Sequence, residues 1–219
     1  MIEQRLIKEK LENPIYICGS ARSGTTLLFN LLNESKEVHK LPTMSHFYSN
    51  FVRSNYFMHY RLKQILYKKI LPWFNIEKIS IQNSISFEEY NDKINQAIKS
   101  KNFKKLYQFY AFFSMIDKEY NKKSIDNLKY WLDKSNNWRG LHNFNSWFPK
   151  SKFIFIIRNP KSVLASQLYR NKIDEQLVEI SDLKFLKFLE RWFFMNFKIL
   201  NMSKLKKSRL IFFENLLND

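Results

Sequence analysis

Two glycines, an arginine and a run of hydroxyls stand together in Gly19-Ser20-Ala21-Arg22-Ser23-Gly24-Thr25-Thr26. The chain has three glycines in 219 residues, and two of them frame this stretch. Such a chain keeps glycine where the backbone turns tightly or approaches a ligand closely. A loop of this kind opening a helix offers N–H groups with the helix dipole behind them, which is anion-binding chemistry. The spacing of the nucleotide-triphosphate loop G-x-x-x-x-G-K-[ST] is kept. Thr25 takes the lysine position, however, Thr26 holds the last position, and the cation sits at Arg22. Without the lysine that reaches the β- and γ-phosphates, ATP or GTP chemistry is disfavoured, while phosphate binding is not. Incidental glycines in a strand–turn–helix are the bland alternative. A second constellation is Arg158, directly after the apolar run Phe153-Ile154-Phe155-Ile156-Ile157, with Ser166 eight residues later. That spacing puts a hydroxyl two turns into the following helix. An arginine alone after a strand is more often an ion-pair partner; coupled to the first loop in this order, it becomes a candidate anion ligand.

These residues need elements to position them. Ile15-Tyr16-Ile17-Cys18 is a short apolar, β-prone run, and Leu27 to Leu32 is a helical stretch, so the loop joins a buried strand to a helix. The Phe153–Ile157 run is continuous enough for a strand buried on both faces of a parallel sheet. Asn159 suits an N-cap and Pro160 a first helical position, opening a helix through Arg170. A helix over about Ile2 to Glu12, more helix from Ile180 to Leu205, and a strand at Leu210-Ile211-Phe212-Phe213 complete the pattern. Strands separated by helices predict a single three-layer α/β domain over residues 1–219 around a mostly parallel sheet. Its donor-binding elements fall at 14–33 and 150–170. The region from about 50 to 132 is polar-aromatic and helical in pattern, and one or two strands must lie hidden in the middle of the chain. At their spacings, Trp73, Phe87, Tyr107, Phe109 and Tyr110 are more often core than sugar-stacking platforms.

The stretch GSARSGTTLL resembles the 5′-phosphosulfate loop of sulfotransferases that use 3′-phosphoadenosine 5′-phosphosulfate (PAPS), a loop close to G-x-x-R-S-G-T-T-L-L. KFIFIIRNPKSVLASQ is similar to the same family's second nucleotide motif. The resemblance implies a P-loop-like sulfotransferase fold. It also implies that Arg22, Ser23, Gly24, Thr25 and Thr26 hold the 5′-phosphosulfate, while Arg158 and Ser166 grip the 3′-phosphate. Trp131-Leu132-Asp133-Lys134-Ser135 resembles the family's K-[TS]-P or K-D-P segment, which makes Lys134 a transition-state cation beside Arg22. Phe212-Phe213-Glu214-Asn215-Leu216-Leu217 looks like its Y-E-D-L-L segment, a structural element. The likeness touches residues 14 to 33 and 131 to 217, leaving an unmatched middle for the acceptor.

Sulfuryl transfer needs positioning, charge neutralisation and in-line attack. The acceptor hydroxyl or amine gives up a proton as it attacks sulfur, so a base is required. Many relatives carry a K-E-x-H-F-F-like segment whose glutamate is that base. The comparable stretch here, Thr43-Met44-Ser45-His46-Phe47-Tyr48, has Met44 at the glutamate position. His46 is then the preferred base, with an ordinary pKa of about 6.5. A hydrogen-bonding wall residue is the equal alternative for it, and Glu88 or Glu89 could supply a carboxylate instead. The scheme calls for no metal, and His39, His46, His59 and His142 lack ligand spacing. Family members usually continue beyond the Glu214 segment, so the chain is expected to be a short member, a truncated product or a fragment.

Composition bounds the rest. Hydrophobic residues make up 45% and aromatic residues 17% of the chain, too much for disorder. Thirty-seven basic against 20 acidic residues leave +17, which predicts an anionic partner, although many lysines sit among Asn and Ile as solvated surface. A nucleic-acid partner would explain the charge but not the ordered motifs, and no reader motif appears. The one cysteine, Cys18, fits a reducing compartment, and the charged start of the chain lacks a signal-peptide pattern. A cytoplasmic location follows as the expectation. Phe109–Ile116 and Trp192–Met195 fall far short of a span of about 20 apolar residues, leaving peripheral membrane contact as the membrane option. The acceptor is expected to be a carbohydrate or small metabolite. An ATP-dependent phosphotransferase and a catalytically silent binder of nucleotide or anionic glycan are the rival functions.

Overall fold

The computed structural model describes residues 9–41, 87–100, 102–117, 121–136, 138–171, 181–204 and 207–217. The side chains of residues 87–91, Arg139, Arg170, Asn171 and Leu217 lie outside that description. Five parallel strands form one sheet: β1 (Pro14–Gly19), β2 (Val38–Lys40), β3 (Tyr130–Ser135), β4 (Lys152–Ile157) and β5 (Ser208–Phe212), in the order β2-β3-β1-β4-β5. The helices are α1 (Thr25–Asn33), α2 (Phe87–Lys99), α3 (Phe103–Ile116), α4 (Leu141–Trp147), α5 (Pro160–Asn171) and α6 (Asp182–Met202).

Period-two alternation along the strands builds the layers. Tyr16 and Cys18 of β1 face one core with Trp131, Phe153 and Phe155. Ile15 and Ile17 face the other, with Leu132 and Ile156. On the first side α3, α4 and α6 supply Tyr107, Phe113, Phe144 and Ile199; on the second, α1 supplies Leu28 and Phe29. A fully buried strand needs apolar residues on both faces, and β1 meets this, all six of its residues being buried. The expected three-layer α/β architecture is therefore the observed one. Tyr107 and Tyr110 belong to the core, with Phe109 packed against it.

Three boundaries differ from the sequence expectation. The missing strands are β2 and β3, at the two margins of the middle region rather than within it, so the helical pattern ends before Tyr130. Trp131-Leu132-Asp133-Lys134-Ser135 lies in strand β3. Its polar residues disguise it: Asp133 is fully buried, accepting a hydrogen bond from the Tyr107 hydroxyl and one from its own neighbour, Lys134 N, at 2.7 Å. β5 ends at Phe212, and Phe213 turns inward to open a 3₁₀ segment through Leu217. Most of the helix expected over Ile2 to Glu12 falls outside the described residues.

His39 illustrates how β2 is held. It is 2% exposed, with Nε2 2.9 Å from Ser114 Oγ on α3. Ser114 Oγ already donates to the Ala111 carbonyl, so His39 is the donor to Ser114. Burial, and then the charge of Lys123, hold its pKa down at about 3 against 6.5, opposed by its side-chain hydrogen-bonding interaction with Asn121. The unfolded chain binds a proton below pH 6.5 and the folded chain does not, so stability must fall as pH drops from there toward 3. Between pH 7 and 5 this costs about 2 kcal/mol. Denaturant titrations of His39→Gln should show that much less loss than wild type over the same interval; equal slopes would contradict the assignment.

Candidate functional site

The central strand β1 delivers its carboxyl end to the loop 20–24, where chain direction diverges toward β3 on one side and β4 on the other. This is where open α/β sheets form a ligand crevice. The loop is tight. A Cβ on Gly19 would lie 2.5 Å from Ser23 Oγ and 2.7 Å from the Ile156 carbonyl oxygen, and one on Gly24 would lie 2.2 Å from the Phe213 ring. Gly24 also has φ 96°, which favours glycine. Arg22 takes φ 69°, a left-handed conformation costing about 1–3 kcal/mol and concentrated at functional sites. Left-handed residues in such a loop turn successive N–H groups to one concave side. α1 then begins with no side-chain cap and no acidic residue in its first turn. Its leading amides are thus left for an anion.

The second motif closes onto the first. Asn159 caps α5, its Oδ1 accepting from Lys161 N at 2.9 Å, as expected of an N-cap. That aims the first turn of α5 at the loop. Arg22 Nε donates to Ser166 Oγ at 2.9 Å, and Arg158 Nη1 donates to the Arg22 carbonyl at 3.1 Å. Two stretches 136 residues apart meet in one crevice. Arg158 lies 4.3 Å over the Phe213 ring, and its carbonyl accepts from Trp192 Nε1 of α6. Among the described residues, two buried polar atoms here have no partner: Ser20 Oγ and Arg158 Nε. Unsatisfied buried groups are rare and call for a ligand or solvent.

Lys134 reaches the same place from the end of β3. It is 8% exposed, donates from Nζ to Thr26 Oγ1 at 2.6 Å, and sits 5.2 Å over the Phe29 ring. Burial lowers its pKa; Asp133 opposes and Lys40 adds to the lowering. Ser23 is fully buried and its hydroxyl donates to the Ser20 carbonyl at 2.6 Å, so it braces the loop. Cys18, one residue upstream, is fully buried with its thiol pushed up to about 12, which leaves it packing rather than reactive.

Arg22, Ser23, Gly24, Thr25, Thr26, Lys134, Arg158 and Ser166 are thus brought to one end of the sheet. His46, with the whole Thr43 to Tyr48 stretch, lies outside the described residues, as do the side chains of Glu88 and Glu89. The segment that resembles Y-E-D-L-L, expected as a structural element, also contributes to the site. Phe213 forms the floor under Gly24 and Arg158, and Glu214 Oε1 accepts from Asn159 N at 2.9 Å, tying the segment after β5 to the second motif. Trp192 carried no signal, because helical periodicity does not separate a core tryptophan from one bonded to a motif. A cleft of about 520 Å³ opens beside the loop, between Ser20 and Ala21, Asn136, α5 and α6. Among the described residues, no three His, Cys, Asp or Glu side chains are placed to hold a metal, and no helix is long and apolar enough to cross a membrane.

A parallel sheet with helices on both faces carries a glycine-framed loop at its central strand and a second basic motif beside it, the architecture of an α/β transferase domain. The chain belongs to the sulfotransferase family, whose sequence model matches residues 14–217. Among solved structures it is similar to the sulfotransferase domain of the Synechococcus PCC 7002 olefin synthase, at 18% identity and TM-score 0.51, over 94% of this chain and 68% of that one. The sulfotransferase domain from the curacin biosynthetic pathway matches at 20% identity and TM-score 0.48, over 94% and 69% of the two chains. A sulfotransferase from Alicyclobacillus acidocaldarius matches at 13% and 0.47, over 94% and 75%. At these identities the likeness concerns the fold. No curated protein matches the sequence.

Proposed function

We propose that this protein transfers a sulfuryl group from PAPS to a hydroxyl or amine of a carbohydrate or small-metabolite acceptor. The observation that carries the reading is the joining of the two motifs, Arg22 to Ser166 and Arg158 to the Arg22 carbonyl. The loop amides, Arg22, Thr25 and Thr26 suit the 5′-phosphosulfate end, with Ser23 bracing the loop around Gly24. Arg158 and Ser166 suit the 3′-phosphate. In the reaction the acceptor oxygen or nitrogen forms a bond to sulfur as the bond from sulfur to the 5′-phosphate oxygen breaks, and the acceptor proton passes to a base. Charge grows on the departing phosphate oxygen. Lys134 and Arg22 are the cations we assign to that charge, Lys134 from a buried setting that strengthens its effect and Arg22 from an exposed one. His46 is assigned the base on sequence grounds. The +17 charge is read as serving anionic substrates rather than nucleic acid, and the buried single thiol accords with a cytoplasmic setting.

The test compares thermal stabilisation by 3′,5′-ADP with that by Mg·ATP. At 100 times its dissociation constant, 3′,5′-ADP should add about 2.7 kcal/mol, and Mg·ATP far less. Stabilisation by Mg·ATP alone would replace this reading with phosphotransfer. Binding of 3′,5′-ADP without transfer from labelled PAPS to any screened acceptor would leave the silent binder.

A further inference from the structure

The cleft beside the phosphate loop has an uneven wall. One face of α6 lines it, through positions 184, 187, 188, 191, 192 and 195, a spacing of three and four residues that marks one helical stripe. Toward the carboxyl end of the stripe are Trp192 and Met195, part-buried and packed on the core, with Trp192 bonded to the carbonyl of Arg158. Toward the amino end are Lys184, Lys187 and Arg191, all exposed. Among the described residues, no carboxylate lines the cleft. The helix's own acids, Asp182 and Glu190, lie off this stripe, and the ion pairs Lys104–Glu12 and Lys129–Glu37 lie elsewhere. Three cations on a single wall, with no carboxylate among the described lining residues, raise the local potential for an anion.

Resting on the sulfotransferase reading, we infer that the acceptor is an acidic, part-apolar molecule. Its hydroxyl or amine is directed inward toward Lys134 and Arg22, its body packs on Phe188, Trp192 and Met195, and its carboxylate, sulfate or phosphate meets Lys184, Lys187 and Arg191. At 1.5 Å of rise per residue, Lys187 and Lys184 lie roughly 8–12 Å along the helix from Trp192. The stripe selects among acceptors and leaves the donor alone.

The probes are anilinonaphthalene sulfonate, an apolar aromatic anion, and N-phenylnaphthylamine, its uncharged counterpart. Each is titrated by fluorescence into protein saturated with 3′,5′-ADP. The variant is Lys184→Gln/Lys187→Gln/Arg191→Gln, whose positions are exposed and whose fold is checked by its melting temperature. The anionic probe is expected to bind wild type at one site and to lose about tenfold in affinity in the variant. The neutral probe and 3′,5′-ADP should bind both proteins alike. Equal binding of the anion to both proteins, or no binding to wild type, overturns the inference. A parallel loss of 3′,5′-ADP affinity in the variant would assign the three cations to the donor and also overturn it. Failure of wild type to bind 3′,5′-ADP at all would instead remove the donor reading on which the inference rests, a result visible before either probe is added.

Discussion

Replacing Lys134 with alanine is expected to lower the rate of sulfuryl transfer about 10²–10³-fold, while 3′,5′-ADP still binds. The size follows from where the ammonium is held. It is 8% exposed, anchored 2.6 Å from Thr26 Oγ1 at the start of α1, and backed by the Phe29 ring. A cation fixed in a poorly solvated place needs no reorganisation when charge develops, and its attraction is not diluted by water. Burial does lower its pKa, but Asp133 works against that. Asp133 is itself locked by Tyr107 and by the backbone of Lys134, so the strand carries its own device for keeping the lysine charged and aimed. Single-turnover release of 3′,5′-ADP, using an acceptor identified with labelled PAPS, gives the rate; calorimetry with 3′,5′-ADP gives the binding. A wild-type rate in Lys134→Ala would reduce the residue to a brace for Thr26. Loss of binding and rate together would make it part of the donor grip.

Much of this site is legible in the sequence because its geometry is local. Gly19, Gly24 and the hydroxyls between them define a loop whatever surrounds it, and Asn159-Pro160 fixes where α5 begins. The long-range contacts were inferred from the order of motifs, not from any residue pattern, and the sheet order β2-β3-β1-β4-β5 is what realises them. β3 was hidden for a physical reason. Its Asp133, Lys134 and Ser135 are polar yet buried, and their partners, Tyr107 and Thr26, come from distant elements. Polar residues satisfied by tertiary contacts break the apolar signature of a strand. Phe213 was legible as a strand residue but not as the floor of the loop, since only the 2.2 Å approach to a Gly24 Cβ position reveals that role. The general base carries the weakest signal, because Thr43 to Tyr48, the stretch whose resemblance suggests it, has Met44 and no carboxylate.

Arg158→Ala is expected to abolish discrimination for the 3′-phosphate. Arg158 is held on three sides: Nη1 on the Arg22 carbonyl, the guanidinium over Phe213, and its own carbonyl on Trp192. A guanidinium positioned this way loses little freedom on binding, and a charge-assisted hydrogen bond to phosphate contributes about 1.5–3 kcal/mol. Arg22 keeps its bond to Ser166 in the variant, so the 5′ end of the site is retained. The deciding measurement is calorimetric titration of wild type and Arg158→Ala with 3′,5′-ADP and with 5′-AMP. Wild type should bind 3′,5′-ADP about 100-fold more tightly than 5′-AMP, a difference of about 2.7 kcal/mol, and the variant should bind the two within a few-fold of each other. Equal affinity of wild type for both nucleotides would contradict a site that grips doubly phosphorylated adenosine from both ends.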